Sequence, residues 1–84
     1  MDEQLVMVLV DQMCFLELSG DDVINPDAAV RQMESIVAVF EELDSAQKEQ
    51  LKILIERQAQ EARARGIELR AEFIESLPEA LGLR

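Results

Sequence analysis

The sequence predicts an all-α protein: a small three- or four-helix bundle with short connections. Apolar residues recur at three- and four-residue steps in four successive segments, about 2–18, 26–43, 45–65 and 67–77. Two of these segments open on strong helix-start signals. The chain has 84 residues, 49% of them hydrophobic. That makes a single helical domain (1–84) able to bury a core, near the lower limit for independent folding.

In the first segment Leu5, Val8, Leu9, Met13 and Leu16 share one helical face. Val6, Val10 and Phe15 widen the stripe past half the circumference, which means deep burial or a second contact surface. The β-branched residues would also suit a strand, but Asp11, Gln12 and Glu17 break any two-residue alternation. Asp2 and Glu3 favour a helix N-terminus. Cys14 lies among Met13, Phe15 and Leu16 and reads as a small core hydrophobe. No Lys or Arg precedes Arg31, so no sequence neighbour activates the thiol.

Gly20 is expected to end this helix in the left-handed conformation. Asn25-Pro26-Asp27 starts the next one, with Asn25 as N-cap and Pro26 at the first helical position. Val30, Met33, Ile36, Val37, Phe40 and Leu43 form its apolar face, opposite Arg31, Gln32, Glu34, Ser35, Glu41 and Glu42. Asp44 and Gln47 make a capping box for the third helix, whose stripe is Leu51, Leu54, Ile55, Ala59 and Ala62. Lys52 with Glu56, Arg57 with Glu61 and Glu61 with Arg65 stand at ion-pair spacing on its outer face. Gly66 fits either a helix end or the interior of one long helix. Ile67, Ala71, Ile74 and Leu77 continue the apolar face, with Phe73 alongside, and Leu77-Pro78 is expected to stop it. The expected core is Leu9, Met13, Leu16, Val30, Met33, Val37, Phe40, Leu51, Leu54, Ile55, Ile74 and Leu77. Phe15, Phe40 and Phe73 are its expected bulky members.

The charge is lopsided. Up to Asp44 there are eleven acidic residues and one basic one, so this half carries the whole net charge of -10. From Ser45 onward the signs balance, seven of each. An acidic surface keeps a protein soluble, but mixed signs would do that without the repulsion. The asymmetry therefore marks Glu17, Asp21, Asp22, Asp27, Glu34, Glu41 and Glu42 as candidate residues for binding a basic partner protein. Asp21 and Asp22, adjacent on a loop, are the strongest of these.

Other chemistries find little support. With no His, imidazole catalysis and His metal sites are excluded. Asp21 to Pro26 resembles a calcium loop but places Val23 at a ligand position and Pro26 where Gly is needed. No phosphate loop or oriented nucleophile is present, so neither an enzyme nor a cofactor is expected. Nucleic acid is disfavoured by the charge. The apolar run Leu5 to Val10 is too short for a membrane span. An acidic N-terminus without a lipidation signal points to the cytoplasm.

In size, acidity and helical character the chain is similar to the small immunity proteins that neutralise bacterial nuclease toxins. The likeness is one of composition and carries no residue across. Together with the acidic surface it gives the expectation of a non-enzymatic inhibitor or regulator of a basic protein, immunity protein or antitoxin-like. The wide apolar stripe of the first helix gives the alternative, a self-assembling homodimer.

Overall fold

The computed structural model describes residues 1–83. The described residues form four helices: α1 (Glu3–Leu18), α2 (Pro26–Glu41), α3 (Ser45–Ala64) and α4 (Glu68–Ala80). No strand occurs among the described residues. The expected N-caps at Asn25 and Asp44 are formed, and Asp2 caps α1 as well. The Asp2 carboxylate accepts from the Leu5 N–H, the Asn25 side chain from the Asp27 and Ala28 N–H groups, and Asp44 and Gln47 close their capping box.

Two helix ends differ from expectation, at Gly20 and Pro78, and Gly66 takes one of its two expected roles. Gly20 is not left-handed, because Ser19 has already left the helix in an extended conformation (φ -78°, ψ 142°). Gly20 instead starts the next turn, its carbonyl accepting from the Val23 and Ile24 N–H groups. Gly66 takes φ 74° and separates α3 from α4, so there are four helices. There the Gly66 N–H reaches the Arg63 carbonyl and the Ile67 N–H the Ala62 carbonyl, the paired bonds of a Schellman end. Leu77-Pro78 does not stop α4. Pro78 sits in the last turn and gives up one N–H bond to the carbonyl four residues back, but Leu77, Pro78 and Leu81 are all buried and hold the turn in place. Gly82 ends this helix by the same paired pattern, with bonds from Gly82 to Glu79 and from Leu83 to Pro78.

The core is built chiefly between α3 and α4, the most extensively packed pair. Leu51, Ile55, Ala59 and Ala62 meet Ala71, Ile74, Leu77 and Leu81, and the alanines let the two backbones approach. α1 lays Val6, Val10, Met13 and Cys14 across this pair. So α1 is rotated from its expected orientation: the residues that seemed surplus, Val6 and Val10, are buried. Leu5 and Val8 are exposed, Leu9 and Leu16 are half-buried, and Phe15 lies outside the core. An apolar residue at nearly every position left the orientation undetermined by periodicity. Arg57 reaches Glu3 at 3.1 Å and Arg70 reaches Asp11, pinning that rotation from α3 and α4. Arg57 thus serves α1 rather than Glu61, and Arg63 bridges Glu68 and Glu75 at 2.7 Å each across the α3–α4 turn.

α2 packs on α1 and makes no comparable contact with α3 or α4. Only Ala29 and Phe40 of α2 are buried; Met33, Ile36 and Val37 are half-buried. Val30, expected in the core, is 55% exposed, because α2 has a neighbour on one side only.

Candidate functional site

The eleven acidic residues of the first 44 positions fall into three groups. Asp2 and Asp44 cap helices. Glu3 and Asp11 pair with Arg57 and Arg70. The other seven are Glu17, Asp21, Asp22, Asp27, Glu34, Glu41 and Glu42, the set marked from the sequence. All are exposed, and none has a cation within ion-pair distance among the described residues.

The fold brings three of the seven together. Glu17 from the end of α1 and Glu34 and Glu41 from α2 line an open groove of about 420 Å³. Val30, Met33, Val37 and Ala38 complete its lining. Asp27 lies seven residues before Glu34, as Glu34 does before Glu41, so the three form one carboxylate row along α2. At about 1.5 Å per residue that row spans about 20 Å. Asp21 and Asp22 stand apart on the connecting turn, and Glu42, at the C-cap of α2, is beside this row but does not line the groove. The leading loop pair is thus outside the groove. Val30, Met33 and Val37 of its floor belong to the core expected from sequence; they are reachable because α2 lacks a second neighbour.

The placement of these carboxylates opposes local stability. Glu17 lies in the last turn of α1, and Glu41 and Glu42 at the end of α2, with no basic residue in either last turn. A helix C-terminus carries partial negative charge, so carboxylates there are repelled.

The rest of the molecule offers weaker chemistry. Cys14 is buried, and its desolvation pushes the thiol pKa up; the opposing pull of Arg70 is smaller. The Gln58 Nε2 is buried without a hydrogen-bond partner. Gln58 borders a cleft of about 180 Å³ with Asp11, Arg65 and Arg70, but that nitrogen is itself closed to solvent. Among the described residues no group of three or more Cys, Asp or Glu side chains is placed to hold a metal ion, and no helix is long and apolar enough to cross a membrane. No family model, curated protein or solved structure matches the chain.

Proposed function

We propose that this chain is a non-enzymatic interaction protein that binds and neutralises or regulates a basic partner protein through the α1–α2 groove. The convergence of Glu17, Glu34 and Glu41 around an apolar floor supports this reading most directly. A merely solvated face would need no hydrophobic strip between its carboxylates. The groove suits an amphipathic helix with apolar side chains on Val30, Met33 and Val37 and Lys or Arg beside the three carboxylates. Asp21, Asp22, Asp27 and Glu42 would extend the negative field around it and speed encounter. A phosphate-binding nuclease toxin is one partner of this chemistry, in keeping with an antitoxin or immunity role in the cytoplasm.

A Leu/Lys amphipathic helical peptide and its Leu/Glu counterpart, titrated separately into the chain, test the reading. The Lys peptide binds and the Glu peptide does not. Association slows between 0.1 and 1 M salt, as the Debye length falls from about 10 Å to about 3 Å. Charge reversal at Glu34 and Glu41 to Lys removes binding while the helical circular dichroism is retained. Equal binding of both peptides, or indifference to salt and to the reversal, refutes it.

A further inference from the structure

The carboxylates that α2 presents stand at a fixed period. Asp27, Glu34 and Glu41 are seven residues apart and all exposed. Seven residues fall about 20° short of two full turns, so the three stay within about 40° of one another around the helix. Each step is about 10 Å along the axis. An apolar row runs beside them: Val30, Met33 and Val37 follow one another at three and then four residues and line the same groove as Glu34 and Glu41. That is the spacing of the a and d positions of a coiled-coil seam, and Asp27, Glu34 and Glu41 then fall on successive e positions. Arg31, the basic residue of α2, forms no ion pair with this row among the described residues, so the carboxylates stay available.

Taking the groove as the docking site, as the proposed function does, we propose that its occupant is a basic α-helix of the partner protein, about four turns long, which lies along α2 and carries Lys or Arg at seven-residue intervals beside an apolar seam.

Spacing and backbone chemistry select this occupant. Steps of about 10 Å are too long for one metal ion, whose oxygen ligands lie within about 2.6 Å of it. An extended basic segment also places cations about 10 Å apart, on every third residue. Its N–H and C=O groups would then lie unpaired over the Val30–Val37 strip, because the α2 backbone is spent on its own helix. A helix brings its own hydrogen bonds. Cations seven residues apart on it share the period of the carboxylates, so three pairs form together instead of one at the expense of the next. The row is also symmetric about Glu34, so the central cation meets Glu34 whichever way the partner helix runs.

Two helical peptides of identical composition test the proposal, each with the same Leu seam and three Lys, titrated into the full chain. In one the Lys stand in line, seven residues apart; in the other they are spread around the helix. The aligned peptide binds about tenfold tighter, a difference of about 1.4 kcal/mol. Glu34→Lys weakens binding of the aligned peptide by a similar factor, and exchanging the peptide's central Lys for Glu restores it, whereas exchanging an end Lys does not. Glu34 is exposed, so the variant keeps the wild-type helical circular dichroism. Equal or reversed affinities of the two peptides overturn the proposal, as does rescue from an end position as good as from the centre. Either result leaves the acidic-groove reading standing, since both peptides are basic. Binding of neither peptide removes that reading and this proposal together.

Discussion

The two halves of this chain use the same element, a pair of connected helices, to different ends. α3 and α4 face each other across a continuous apolar seam, and Arg63 ties their turn to Glu68 and Glu75. Their charges balance, and Gly66 and Gly82 close their ends. The first 44 residues hold all the net charge, seven carboxylates with no cation within ion-pair distance among the described residues, and most of the exposed large apolar residues. The C-terminal pair spends its side chains on itself. The N-terminal pair contributes one side of α1 to the core and leaves the rest facing outward. The packed seam and the unspent charge and apolar surface lie in different halves of 84 residues.

Substitutions probe that division, beginning with the largest effect. Ile55→Ala in α3 lowers the unfolding free energy by about 4 kcal/mol, since Ile55 is fully enclosed. Phe40→Ala in α2 costs about 3 kcal/mol, at the low end for a buried Phe, because α2 docks on one side only. Val30→Ala costs less than ~0.5 kcal/mol. Urea denaturation of the three variants gives the order directly, and equal costs for Ile55 and Val30 would erase the distinction between the halves. Gln58→Met removes the unpaired buried Nε2 at nearly constant volume and raises stability by about 1 kcal/mol.

Glu41→Lys relieves the repulsion at the end of α2 and raises the melting temperature slightly, by about 0.5 kcal/mol in stability. The same change weakens binding of the Leu/Lys peptide. A variant that loses stability and binding together would show that Glu41 supports the fold. Cys14 gives the smallest signal. Its thiol pKa is raised in the folded chain, so the stability it contributes is complete below the unfolded thiol's pKa and is lost as pH rises through the folded value. Native protein therefore resists thiol reagents at neutral pH, and labelling follows unfolding. Rapid labelling under native conditions would place Cys14 at the surface.

Three of the four helix starts were legible in the sequence because each rests on a local bond, from Asp2, Asn25 or Asp44; α4 starts at Ile67 without a side-chain cap. The rotation of α1 was not. Leu5, Val6, Val8, Leu9 and Val10 make its surface apolar nearly all round, and the covered side is set by contacts more than fifty residues away in sequence, with Arg57 on Glu3 and Arg70 on Asp11 at its edges. The helix stops were half legible. Gly66 and Gly82 end helices by their left-handed backbone, whereas Gly20, the same residue type, follows a helix already ended at Ser19. Pro78 misled because the burial of Leu77, Pro78 and Leu81 outweighs the one ladder bond the proline gives up. The seven acidic candidates could be named from the charge asymmetry alone. Which of them meet around an apolar floor could not, since Glu17 joins Glu34 and Glu41 only once α1 and α2 have packed.

The tight turn at Gly66 bears on how the chain assembles. It joins α3 and α4 through three residues, so the largest packed surface in the protein forms between segments adjacent in sequence. Closing so short a loop costs little chain entropy, and contacts of low sequence separation form fast. The α3–α4 hairpin is therefore the natural folding nucleus, and α1 must return from more than fifty residues away to set Glu3 and Asp11 on Arg57 and Arg70. α2, held by one neighbour, docks last and opens first. The helix that carries most of the acidic groove is then the one whose amides exchange soonest with solvent, and an occupant of that groove would slow its exchange most.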